Sequence, residues 1–128
     1  MTAIATSATS AVPATLAAPA HEATWQPVCP LADIWPSTGV CALVQGRQVA
    51  IFHLADGRLF ALDNHDPKSD ANVLSRGIVG DIAGEPVVAS PIYKQHYRLR
   101  TGECVEEPEI TLRTYAVEVR DGMVWVQA

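Results

Sequence analysis

Ala61-Leu62-Asp63-Asn64-His65-Asp66-Pro67-Lys68 and Ala89-Ser90-Pro91-Ile92-Tyr93-Lys94-Gln95-His96-Tyr97-Arg98-Leu99-Arg100-Thr101-Gly102 are the two stretches that decide the fold. Each leaves an apolar run and breaks at a proline, Pro67 in the first and Pro91 in the second. Each is also delivered by a hairpin. Gln48 to Leu54 is rich in Val, Ile and Phe and reads as a strand. Asp56-Gly57 is a strong turn signal, and Leu59 to Asp63 follows as the partner strand. Ile78 to Ile82, the turn Ala83-Gly84-Glu85 and Pro86 to Ala89 repeat that plan before the second stretch. Tyr97-Arg98-Leu99 then forms a short strand closed by Thr101-Gly102.

The flanks continue the pattern. Trp25 to Cys29 reads as an edge strand, because Pro27 lacks the N–H that a central strand must donate. Pro30 to Ile34 is a turn or short helix, residues 35–39 a loop and Val40 to Val44 a strand. Ala71 to Arg76 is expected to form one helical turn ending at Gly77. Cys104 to Leu112 is acidic and extended. Tyr115 to Arg120 alternates apolar and polar residues, the period of a half-buried strand, and Asp121-Gly122 turns it into the last strand, Met123 to Gln127. Many short strands between frequent turns predict an all-β domain, an antiparallel sandwich or barrel of two sheets.

Composition sets the outer limits. The 128 residues make one domain, 24–128, plus a tail. Residues 1–23 are rich in Ala, Thr, Ser and Pro, carry no Lys or Arg and have no large apolar face. They bury too little surface to offset the entropy of ordering and are expected to be disordered. The net charge of -5 argues against non-specific nucleic-acid binding. No apolar run approaches the roughly 20 residues of a membrane span. Cys29, Cys41 and Cys104 have no metal-ligand spacing and are expected to be reduced, buried side chains of a cytoplasmic protein.

The two quoted stretches resemble the cluster-binding loops of Rieske iron–sulfur domains. There the first loop carries Cys-x-His and the second Cys-x-x-His. Asp66 and Lys68 stand at the first pair of ligand positions, Ser90 and Tyr93 at the second. A Rieske centre needs two thiolates and two imidazoles. An ammonium has no lone pair to offer, and neutral hydroxyls are poor ligands. The resemblance narrows further. Asn72 to Asp81, with Val87-Val88-Ala89-Ser90-Pro91-Ile92-Tyr93-Lys94-Gln95-His96, is similar to the small subunit of assimilatory NAD(P)H-dependent nitrite reductase. It covers about Trp25 to Val126 and implies a Rieske-like fold with a small loop subdomain inserted between Asp63 and Arg100. It also implies a large partner subunit that carries FAD, an iron–sulfur cluster and sirohaem and reduces nitrite to ammonium. No catalytic residue, metal or cofactor is expected in this chain.

Several side chains invite a role. Asp66 and Lys68 form a candidate charge pair across the emptied first loop. Tyr93 is a candidate filler of the cluster's volume. His65 and His96 flank the loops and, with Asp66, are the types that bind a divalent metal, although no Rieske ligand occupies either position. Arg76, Lys94, Gln95 and His96 are candidate docking groups at the loop tip. Trp25 and Trp35 are candidate core or interface anchors. Two other functions use the same fold: a Rieske ferredoxin of a dioxygenase system, against which the missing ligands argue, and a free-standing protein-binding module.

Overall fold

A computed structural model describes residues 24–128; the segment expected to be disordered lies outside the described residues. The described residues form β1 Trp25–Pro30, β2 Thr38–Val44, β3 Arg47–His53, β4 Leu59–Asp63, β5 His65–Asp66, β6 Ala71–Asn72, β7 Ile78–Ile82, β8 Glu85–Ala89, β9 His96–Arg98, β10 Thr114–Arg120 and β11 Met123–Gln127. Single 3-10 turns occupy Leu31–Asp33 and Leu74–Arg76. The strands make a six-stranded sheet in the order β1-β11-β10-β4-β3-β2, a three-stranded sheet β7-β8-β9 and the small ladder β5-β6. Every pairing of these strands is antiparallel. The expected all-β, antiparallel architecture is therefore present, with three sheets where two were expected.

β3 explains how the sheets meet. Its run Val49-Ala50-Ile51-Phe52 is buried at every position, although a strand turns successive side chains to opposite faces. A strand with a continuous apolar run has a core on both sides. On one face Val49 and Ile51 join Ile34, Val44, Ala61, Tyr115, Val124 and Val126. The six-stranded sheet curls around this cluster until β1 and β2 face each other across an open cleft of about 420 Å³. On the other face Ala50 and Phe52 meet Leu62, Leu74, Val88, Tyr97, Leu99 and Cys104. That second cluster fastens the inserted subdomain to the barrel.

The subdomain differs from expectation in detail. Ala71-Asn72 pairs with His65-Asp66 as β6, so only Leu74–Arg76 takes the helical turn. The insertion also runs on past Arg100. Cys104 and Leu112 belong to its core, and Cys104 N–H donates to the Ile110 carbonyl. Two glycines permit close approaches. A Cβ on Gly77 would lie 2.4 Å from the Ala89 carbonyl oxygen, so only glycine lets the 3-10 turn lie against β8. Gly102 has φ +82°, and a Cβ there would meet the Leu112 carbonyl oxygen at 2.1 Å.

The cysteines follow their surroundings. Cys104 is buried and Cys29 half-buried, but Cys41, on the edge strand β2, is exposed, contrary to expectation. Burial pushes all three thiols above their ordinary range, so none is a ready thiolate. Trp25 is half-buried; it and Trp125 each hold their ring centroids 5.0 Å from the Arg120 guanidinium carbon. Trp35 is exposed on the turn before β2.

Candidate functional site

The first loop begins where β4 ends, and it is anchored on both sides. Tyr115 on β10 donates its hydroxyl hydrogen to Asp63 at 2.5 Å. Asn64 is buried and works in several directions at once. Its backbone N–H reaches the Gln48 carbonyl, its own carbonyl accepts from Leu74 N–H, and its side-chain oxygen accepts from Ser75 N–H at 2.7 Å. The loop is thereby pinned to β3 and to the 3-10 turn before it reaches Asp66.

Asp66 is the centre of the site. It is fully buried, and five donors converge on its carboxylate. Lys68 N–H, Gln95 Nε2 and Tyr97 Oη reach Oδ1 at 3.0, 2.8 and 2.8 Å. Ser90 Oγ and Ser69 Oγ reach Oδ2 at 2.6 and 2.9 Å. Burial alone pushes such a carboxyl upward. The hydrogen bonds from Ser90, Ser69, Tyr97 and the Lys68 N–H outweigh it, and Asp66 lies below the usual carboxylate range. The Tyr97 phenol is held far above its ordinary value by burial, with Asp66 beside it adding to the rise. Asp66 is therefore the anion and Tyr97 the donor.

The second loop is closed by its own backbone. Ser90 N–H donates to the Gln95 carbonyl and Lys94 N–H to the Ser90 carbonyl, with Lys94 at φ +66°. Gln95 then turns inward. Its amide nitrogen donates to Asp66 and to Tyr97 Oη, leaving Gln95 Oε1 buried without a partner. That orientation is forced, since the reversed amide would set an oxygen against the carboxylate.

Several sequence expectations change here. Asp66 and Lys68 do not pair through their side chains; Lys68 Nζ turns instead to Glu107 at 2.7 Å. Tyr93 does not fill the space between the loops but stands 64% exposed, and Tyr97, Gln95 and Ser90 occupy the interior. Gln95 is buried and so is not a surface docking group. His65 Nε2 faces Asp70 and His96 Nδ1 faces Glu106. The two imidazoles make no site with Asp66, and no group of three metal-ligating side chains is formed among the described residues. Arg76 and Lys94 are exposed. Gln95, Tyr97 and Leu99 all turn inward, and period-two alternation carried back from the Tyr97–Leu99 strand is the signal that would have placed Gln95 inside. The acidic strap Glu103–Glu107 had no such signal, and it supplies Glu103 to Arg98, Glu106 to His96 and Glu107 to Lys68.

The Rieske-like [2Fe-2S] domain model matches residues 24–127. A nitrite reductase (NADH) small subunit of Salmonella typhimurium is 46% identical over 101 residues, covering 78% of this chain and 94% of that protein. The chain belongs to this small-subunit family of Rieske-like domains. The NMR structure of the Escherichia coli protein NirD superposes with a TM-score of 0.78 at 41% identity, covering 83% of this chain and 97% of that one. A second relative is larger. In Klebsiella oxytoca, 102 residues at 47% identity fall within the nitrite reductase [NAD(P)H] large subunit, and they span only 11% of it. The ferredoxin of carbazole 1,9a-dioxygenase from Nocardioides aromaticivorans, at 21% identity and a TM-score of 0.70, shares the fold alone.

The family description names a two-iron cluster, and the side chains here do not fit one. Asp66 and Ser90, read from the sequence as standing at the cysteine positions, are joined by a hydrogen bond, Ser90 Oγ donating to Asp66 Oδ2 at 2.6 Å. Of the residues read from the sequence as standing at the histidine positions, Lys68 turns to Glu107 and Tyr93 is exposed. Neither thiolate nor imidazole is offered between the loops.

Proposed function

We propose that this chain is a small subunit without a redox centre of its own, bound to a large subunit that reduces nitrite to ammonium with electrons from NADH or NADPH. The observation that carries the reading is likeness along nearly the whole small subunit of Salmonella typhimurium, at 46% identity. The Klebsiella oxytoca relative supports the partnership, because there a domain like this one is part of the large-subunit polypeptide itself. FAD, an iron–sulfur cluster and sirohaem belong, in this reading, to the large subunit, and the complex is cytoplasmic. Among the described residues, no helix is long and apolar enough to cross a membrane.

The small subunit's part is structural. A carboxylate and its five donors hold the two loops together, so their outer surface is presented as a fixed shape. Arg76, Lys94 and His96, on or beside those loops, are the proposed docking groups. The reading is tested by nitrite-dependent NAD(P)H oxidation by the large subunit with and without this chain. Turnover that rises on addition supports it; turnover indifferent to the chain overturns it. A visible Rieske absorption band or bound iron in the isolated chain would favour the ferredoxin reading instead.

A further inference from the structure

The chain's own carboxylates already partner most of the basic side chains around the loops. Lys68, His96 and Arg98 are tied to Glu107, Glu106 and Glu103, and His65 to Asp70. Among the described residues Arg76 and Lys94 form no ion pair, and both are exposed. What remains between them is apolar. Ile92 and Tyr93 precede Lys94 on the second loop, 45% and 64% exposed. Ile78 follows Arg76 by two residues and is 75% exposed. The two segments are neighbours. Ile78 pairs with Ala89, one residue before the loop, and Gly77 packs against the Ala89 carbonyl. Of six large apolar side chains exposed among the described residues, these three belong to neighbouring segments at one end, while Leu43 and Val119 lie on strands of the other sheet and Trp35 on the turn before β2.

We propose that Ile78, Ile92 and Tyr93 form the apolar anchor by which this chain binds the large subunit, with Arg76 and Lys94 as a cationic rim. This rests on the functional reading above. The occupant it fits is an apolar recess on the large subunit bordered by carboxylates. Three features support this occupant. Large side chains exposed together mark an interaction surface rather than ordinary exposure. The loop is already ordered, by the Ser90–Gln95 and Lys94–Ser90 backbone bonds beneath it and by Asp66 at its base, so binding loses little further freedom. The rim charges, left over after internal pairing, select an anionic border and orient the approach.

The test is affinity for the purified large subunit, by titration calorimetry or gel filtration. The double variant Ile92→Ser/Tyr93→Ser is compared with wild type and with Leu43→Ser, which removes from β2 an apolar side chain more exposed than either. Ile78→Ser gives an independent reading from the other segment. All altered side chains are exposed, and an unchanged circular dichroism spectrum and melting curve establish that each variant is folded. The double variant should lose about 30-fold or more in affinity. Ile78→Ser should lose about three- to tenfold, and Leu43→Ser less than about twofold. Binding by the double variant equal to wild type, or equal loss with Leu43→Ser, overturns the anchor while leaving the functional reading standing. A wild-type chain that does not bind the large subunit overturns the functional reading and the anchor together.

Discussion

Asp66 is a buried anion held by neutral donors, and its negative charge strengthens each hydrogen bond that its carboxylate accepts. Replacement by Asn keeps the shape but sets an NH2 group against hydroxyls that now have no acceptor. Leaving buried donors unsatisfied costs about 1–3 kcal/mol each, so Asp66→Asn should lower unfolding free energy by about 2–4 kcal/mol in urea titrations at pH 7. The sign of the pH dependence follows from the lowered carboxyl. Its stabilisation is complete above the unfolded value of about 3.9 and is lost as pH falls through the lower folded value. The gap between wild type and Asp66→Asn should therefore be constant from pH 7 to about 5 and shrink below about pH 4. A gap that stays constant at acid pH would show that the carboxylate's charge is not what holds the loops. Tyr97→Phe removes one donor from the same group and should cost about 1–2 kcal/mol under the same assay, with no change in the acid limb's direction.

Among the elements, the turn at Thr101-Gly102 is the one that admits least change. It joins β9 to the acidic strap, and Gly102 N–H donates to the Arg98 carbonyl while Leu112 N–H reaches the Gly102 carbonyl. Gly102→Ala sets a methyl group into the Leu112 carbonyl at a positive φ, so the strap must move. The expected loss is about 2–4 kcal/mol, read as a fall in the melting temperature. A variant that melts with wild type would mean the strap shifts freely. Strands and hairpins were legible in the sequence because alternation, Asp56-Gly57 and Asp121-Gly122 act locally. The insertion was less so. Ala71-Asn72 has no strand signal of its own and is extended only because His65-Asp66 lies beside it. The role of Lys68 was misread for the same reason: its partner, Glu107, is brought near by a fold that local pattern does not encode. Asp66 was singled out in the sequence, but that Gln95 and Tyr97 donate to it depends on the inward turn of the chain at and just before β9. The exposure of Tyr93 follows from the way the loop closes between Ser90 and Gln95, which the sequence order alone leaves open.

At the scale of the whole molecule, two clusters share one wall. β3 contributes Val49 and Ile51 to one and Ala50 and Phe52 to the other. Neither half has a complete core if that strand is removed, so barrel and insertion cannot open independently past it. The consequence is kinetic and visible at single amides. Protons on Val49 to Phe52 should exchange with deuterium only when the entire domain unfolds, at the free energy measured by urea. Amides of β7, an edge strand of the small sheet, should exchange through local fraying at much lower free energy. Phe52→Ala should then lower protection on both sides of β3 alike, rather than loosening the loop end alone. If exchange instead sorted the chain into two blocks of different stability, divided at β3, the wall would be a boundary between separable units. A single slow block means that a disturbance deep in the barrel reaches the loop surface as a change in how long that surface persists, not in its shape.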